Sequence, residues 1–255
     1  MRPPPLSRGR LRPPRIRRTL SFLHLMPNLV TILGLCAGLT SIRFALTERW
    51  EIAVGLILFA AVIDGLDGLI ARKLNAASPF GAELDSLSDF VNFGVAPAVL
   101  VYAFTLDDLG GAGWIFALVF AIGACLRLAR FNVGRSAPEA PTRTHFTGVP
   151  APAGAVLGLL PVYLALDGLV DVTRAPLAVG VWLGVVGALM VSRLPTLSPK
   201  ALRISREGAA WVLVGLTVVV GIAFTRFWLL MVLVCVAYGA TLVYAAMRRG
   251  RAPAA

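Results

Sequence analysis

The chain is 255 residues long, 58% of them hydrophobic and only 15% charged, against an ordinary charged share of about 25%. With its 25 glycines the apolar share reaches roughly 68%, well above the about 45–50% of soluble domains. This composition, with a mean hydropathy of +0.81, excludes a soluble globular enzyme and a disordered chain. The net charge of +11 is not a nucleic-acid footprint, because the basic residues gather between apolar stretches instead of covering one surface.

Taken in order, the chain opens with a tail over 1–27 that holds seven arginines in its first eighteen positions and several prolines, a composition that stays disordered. It is not a signal peptide, because the run Asn28–Thr47 that follows is too long for an h-region and has no small-residue cleavage site. Residues Arg15–Met26 mix Arg with Ile, Leu and Phe. They read either as an interfacial segment on an anionic leaflet or as a simple charged flank. Roughly twenty apolar residues cross the ~30 Å of hydrocarbon, and eight stretches qualify: 28–47, 52–71, 86–106, 113–131, 151–169, 175–192, 208–224 and 227–247. The fold class is therefore an all-α, polytopic membrane bundle of about eight transmembrane helices. Kinks are expected where Pro97, Pro152 and Pro161 interrupt the third and fifth spans. With the N-terminus cytoplasmic, twenty basic residues fall on the cytoplasmic side and three, Arg49, Arg174 and Arg226, on the other. Both termini are accordingly expected in the cytoplasm of a prokaryotic inner membrane. Cys36, Cys125 and Cys235 are isolated in apolar runs, and are expected to be buried small hydrophobes without disulfide or zinc chemistry.

The second and third spans carry the chemistry. Asp64 and Asp67, then Asp85 and Asp89, lie where a membrane helix should have no carboxylate, and such residues are functional by default. At 100° per residue, Asp64, Asp67, Gly68, Ala71 and Arg72 share an arc of about 140°, while Gly81, Asp85, Asp89 and Asn92 form a stripe on the next helix. Joined by a short loop, the two helices are expected to pack as antiparallel neighbours, with four carboxylates in one pocket near the cytoplasmic boundary. Four unneutralised carboxylates would repel one another, and divalent metals resolve this, the hard oxygen donors favouring Mg²⁺ or Mn²⁺. Arg72 adds a cation for a phosphate oxygen, and Gly68, Ala71 and Gly81 leave room at the backbone. The competing class, a metal or small-solute transporter, would want its site nearer the midplane.

The pattern Asp-x2-Asp-Gly-x2-Ala-Arg-x8-Gly-x3-Asp-x3-Asp, matched from Asp64 to Asp89, resembles the signature of the CDP-alcohol phosphatidyltransferase family. That resemblance implies a six-helix core over 28–192, with 193–255 as a loop, two further helices and a basic C-terminus. It implies metal ligation by Asp64, Asp67, Asp85 and Asp89, with two ions in the family's manner and Asp89 also the general base. Gly68, Arg72, Ser78 and Gly81 would contact CDP-diacylglycerol. So would Asn28 and Thr31 of Pro27-Asn28-Leu29-Val30-Thr31, which resembles the family's N-terminal element; Asn28 alternatively reads as a helix cap. A homodimer is implied as well.

Three further segments resemble the branch whose acceptor is L-serine: Phe93–Ala98, Arg127–Asn132 closing the fourth span, and Phe146–Ala153 opening the fifth. The implied reaction yields phosphatidylserine and CMP. Arg127 and Arg130, three apart, suit a serine carboxylate, or are flanks touching lipid phosphates. Asn132 would orient the amino acid or cap its helix, and His145 is a bystander or a further site residue. Glycerol 3-phosphate, inositol, inositol phosphate and choline remain alternative acceptors. The last two spans have no assigned role.

Overall fold

In the computed structural model, residues 22–74, 78–135, 146–192, 195–196 and 209–249 are described. The long elements are helices: α1 (Phe22–Ala45), α2 (Trp50–Leu74), α3 (Pro79–Phe90), α4 (Ala96–Val101), α5 (Gly111–Arg135), α6 (Ala151–Gly158), α7 (Leu160–Leu166), α8 (Pro176–Val191), α9 (Ala209–Thr225) and α10 (Phe227–Arg249). The exception is a pair of two-residue strands, β1 (Phe146–Thr147) and β2 (Pro195–Thr196), antiparallel with Phe146 opposite Thr196. The molecule is a polytopic helical membrane protein. Among the described residues, Met26–Ala45, Pro79–Leu109, Gly111–Gly134 and Phe227–Met247 are long and apolar enough to cross a bilayer, and Pro176–Val191 and Val214–Thr225 are shorter apolar helices.

The third expected span is longer than 86–106. Ser78 caps α3 by accepting the Gly81 N–H at 3.0 Å, with Pro79 in the first turn, which starts the helix before its apolar part. The span then continues to Leu109 through a π-turn at Val91–Val95, α4, a second π-turn at Tyr102–Leu106 and a 3₁₀ turn at Asp107–Leu109. Pro97 follows the first π-turn directly, so the extra residue of the wide turn absorbs the missing proline N–H. The fifth span breaks at Leu159, between α6 and α7. Pro161 cannot donate to the Leu157 carbonyl four residues back, and Trp182 Nε1 donates to it at 2.8 Å instead.

Glycines let the helices approach closely. A Cβ at Gly123 of α5 would lie 2.5 Å from the Gly187 carbonyl oxygen of α8, and one at Gly187 would lie 2.9 Å from the Phe120 Cα. Small residues at such a crossing let backbones touch where lipid supplies no hydrophobic drive. Around it Phe93, Phe120, Leu100, Leu159, Leu183 and Met190 form a core without solvent contact. The expectation for the cysteines is corrected: Cys235 is buried, but Cys36 and Cys125 are exposed on helix faces. A thiol on a span needs no protein around it, because hydrocarbon serves equally well.

Candidate active site

Three of the four expected carboxylates converge. Asp64 of α2 and Asp85 and Asp89 of α3 each offer an oxygen within 4.8 Å of the others, and all three are partly buried. Asp67, Gly68, Ala71 and Arg72 continue α2 beyond Asp64, but their side chains lie outside the described residues, as do His145 and residues 1–21. Hard oxygen donors at this spacing fit a divalent cation of the Mg²⁺ or Mn²⁺ type.

Asp64 of α2 thus faces Asp85 and Asp89 of α3, and α1 packs against both helices. α2 packs along α1, and α3 packs on α1 and α5, so α1 forms the third wall. Its small residues allow this. A Cβ on Gly34 would sit 3.4 Å from Ile63 Cγ2 of α2 and 3.6 Å from Asn92 Nδ2, and one on Gly38 would overlap Asn92 Oδ1. Asn92, 2% exposed, donates from Nδ2 to Ser88 Oγ at 3.2 Å. Ser88 donates in turn to the Thr31 carbonyl at 3.4 Å. This chain of bonds ties α1 to the helix of Asp85 and Asp89. Sequence reasoning misses Ser88, although it lies beside Asp89 on a polar stretch of an apolar span.

Of the residues expected at the nucleotide side, Asn28, Ser78 and Gly81 lie together. Asn28 lies inside α1, six residues past its start, so it is no helix cap. Its Oδ1 would be 2.7 Å from a Cβ at Gly81, and Ser78 Oγ 3.1 Å from the same point. Asn28, Ser78 and Gly81 thus form one polar corner at the N-terminal end of α3. Thr31, one turn along α1, is buried and donates to the Pro27 carbonyl at 3.0 Å.

Arg127 is no lipid-facing flank. It is 9% exposed, its Nε donates to the Val149 carbonyl at 2.6 Å, and its guanidinium stands 5.7 Å from the Phe131 ring centroid. The Asp89 carboxylate lies within electrostatic reach of it. Val149 is held in turn, its N–H donating to the Leu189 carbonyl at 3.5 Å. Gly148 before it has φ +86°, and a Cβ there would be 2.7 Å from the Ser192 carbonyl. Arg130 is exposed and donates from Nη1 to the Val191 carbonyl at 2.8 Å, closing the C-terminal end of α8. Asn132 lies within α5, so it does not cap that helix. It exchanges hydrogen bonds with Ser86, Nδ2 to Oγ at 2.9 Å and Oγ to Oδ1 at 3.2 Å, next to Asp85. A separate apolar groove of about 340 Å³ runs between the third span and α5, with Phe90 and Leu126 at one end and Trp114 and Val99 along it.

The arrangement combines a carboxylate cluster that fits a hard cation, a polar corner and a buried guanidinium within electrostatic reach of Asp89, which suits transfer of a charged phosphorus group between two substrates. A family model described as CDP-alcohol phosphatidyltransferase matches residues 24–191. A CDP-diacylglycerol–serine O-phosphatidyltransferase of Mycobacterium leprae (strain TN) is 45% identical over 186 residues, 71% of this chain and 61% of that protein. The protein of the same name in Mycobacterium tuberculosis (strain ATCC 25618 / H37Rv) is 38% identical over 229 residues, 88% of this chain and 79% of its own length. That of Bacillus subtilis (strain 168) is 39% identical over 150 residues, covering 56% and 82% respectively. The chain thus spans about three fifths of the length of the M. leprae relative and about four fifths of the other two.

Proposed function

Since this chain belongs to the CDP-alcohol phosphatidyltransferase family, we propose that it transfers the phosphatidyl group of CDP-diacylglycerol to the hydroxyl of L-serine, giving phosphatidylserine and CMP. The observation that carries this reading is the convergence of Asp64, Asp85 and Asp89, with the buried Arg127 guanidinium within electrostatic reach of Asp89. The names of the relatives support serine as acceptor.

Asp64, Asp67, Asp85 and Asp89 would hold two Mg²⁺ or Mn²⁺ ions, which would supply Lewis-acid polarisation of the diphosphate. Gly68 and Arg72 on α2 and the corner of Asn28, Thr31, Ser78 and Gly81 hold the CDP-linked donor. Arg127 receives the serine carboxylate through the guanidinium nitrogens not committed to Val149. Arg130 and Asn132 border the same place from α5. Asp89 takes the proton of the serine hydroxyl, whose oxygen attacks the phosphorus bearing diacylglycerol. The bond from that phosphorus to the CMP oxygen breaks, and CMP leaves with the electron pair. The site and both termini face the cytoplasm, where serine and the nucleotide are soluble, and the protein works as a homodimer.

The test is CMP release by the purified protein with CDP-diacylglycerol and Mg²⁺ or Mn²⁺, acceptors being added one at a time. Serine-dependent CMP, abolished in Asp85→Asn, is the expected result. Release only with another alcohol would overturn the acceptor, and no metal-dependent release with any would overturn the reaction.

A further inference from the structure

α10 lies outside the family-matched residues 24–191, yet it reaches the arginine that the proposed reaction assigns to the acceptor. Cys235 Sγ donates to the Val156 carbonyl of α6 at 3.4 Å, which fixes α10 against α6. Tyr238 follows one turn later on the same face. α6 opens at Ala151, two residues after Val149, whose carbonyl holds Arg127 Nε. α10 also packs on β2, the strand paired with the Phe146–Thr147 segment leading into Val149. These contacts bring Tyr238 to the place where Arg127 sits, and the Tyr238 hydroxyl and the Arg127 guanidinium are within electrostatic reach of each other.

The depths agree. Asp89 is ten residues from the start of α3, Arg127 eight from the end of α5 and Tyr238 eleven from the end of α10. At 1.5 Å per residue these are about 15, 12 and 16 Å from the basic end of the bundle. The Tyr238 Oη is wholly shielded from solvent and has no hydrogen-bond partner among the described residues. Burying a hydroxyl without a partner is unfavourable, and more so in a membrane span. A group that enters during turnover would remove that penalty.

We propose that Tyr238 is an acceptor-binding residue, its hydroxyl meeting the carboxylate or ammonium of the amino-acid acceptor beside Arg127, so that the C-terminal helix completes the acceptor pocket. This rests on the proposed transfer to an alcohol acceptor. A phenol suits that role, since it donates to a carboxylate or accepts from an ammonium, and carries no charge that would compete with Arg127 for Asp89.

The acceptor is first fixed by CMP release from the wild-type full-length protein with each alcohol in turn. Tyr238→Phe is then measured with that acceptor, with Tyr244→Phe, on a half-exposed position of the same helix, as control. Tyr238→Phe is expected to raise the KM for the acceptor about tenfold, as loss of one hydrogen bond to a charged group does. The KM for CDP-diacylglycerol stays within about twofold. Thermal unfolding in detergent without substrates is unchanged or later, because the variant removes an unpartnered hydroxyl. An unchanged acceptor KM overturns the proposal. So does a parallel rise in both KM values with earlier unfolding, which would mark a packing role. If the acceptor is not serine, the serine reading fails while Tyr238 is still judged on the alcohol found. CMP release with no alcohol overturns both.

Discussion

At the scale of single residues, the proposed reaction gives Asp89 two duties that pull against each other. A carboxylate that shares a cation with Asp64 and Asp85 binds a proton less readily, yet the proposed transfer needs it to accept one. Positioned general bases contribute about 10²–10⁴-fold, so Asp89→Asn is expected to slow single-turnover CMP release by that factor at saturating metal. Full chemistry in that variant would remove the base role and leave Asp89 a ligand only. Gly81 offers a second test. The atoms a Cβ would meet there are the side-chain tips of Asn28 and Ser78, not backbone. Gly81→Ala should therefore leave thermal stability nearly intact while raising the KM for CDP-diacylglycerol several-fold, as read from CMP release against donor concentration. Gly148 is the opposite case, with φ +86° and backbone carbonyls in front of it. Gly148→Ala should destabilise by at least about 1–2 kcal/mol, seen as earlier unfolding in detergent. The aspartates are legible in the sequence because a carboxylate in an apolar run demands a reason. Tyr238 is not: one of two tyrosines in an apolar helix beyond the family-matched residues, it is in no register with any motif, and only the packing of α10 on α6 gives it a place.

Helices are legible as spans, but their ends and interruptions follow from backbone hydrogen bonding, not from hydropathy. Hydropathy places the third span at 86–106, because averaging discards the polar turn from Pro79 to Asp85. The Ser78–Pro79 pair is the local signal that the helix begins there, since a capping hydroxyl and a first-turn proline both favour that start. The packing order is less legible. Four carboxylates on consecutive helices suggest that α2 and α3 face each other, but nothing in that pattern tells that α1 packs beside them through Gly34 and Gly38. Glycine spacing along α1 is too common in membrane helices to specify which neighbour it admits. The broken fifth span gives an element-scale prediction. Trp182 Nε1 supplies the hydrogen bond that Pro161 denies to the Leu157 carbonyl. Trp182→Phe leaves a carbonyl without its donor inside the bundle, which costs about 1–3 kcal/mol. Its unfolding midpoint in detergent should fall, and an unchanged midpoint would mean that water or a relaxed backbone satisfies that oxygen.

At the scale of the whole molecule, the question is how the last two helices are held to the family-matched part. At the end of α7, Asp167 accepts from Arg226 Nε at 3.2 Å and from Nη2 at 3.0 Å. Arg226 lies in the turn between α9 and α10. The Asp167 side chain is 4% exposed but that of Arg226 is 57% exposed, so solvent and salt screen the pair in part. The fork geometry gives it direction as well as attraction. Hydrogen bonding to Arg226 holds the Asp167 carboxyl below its ordinary value, so the sign of the pH effect is fixed. The clasp contributes fully above the unfolded carboxylate value of about 3.9, and is lost as pH falls through the lowered folded value. Asp167→Asn should therefore unfold earlier than the wild type at neutral pH, and the two should converge in strong acid. The Cys235–Val156 contact and the Tyr238 hydroxyl lie further along the same α10. Loosening the clasp at the start of the helix should therefore be felt at Tyr238, midway along it. Arg226→Ala, far from the carboxylates, is expected to raise the KM for the acceptor more than that for CDP-diacylglycerol, and added salt should move the wild type the same way. If Arg226→Ala lowers the unfolding midpoint but leaves the acceptor KM untouched, α10 is anchored by its α6 and α7 contacts alone, and the clasp serves stability without reaching the site.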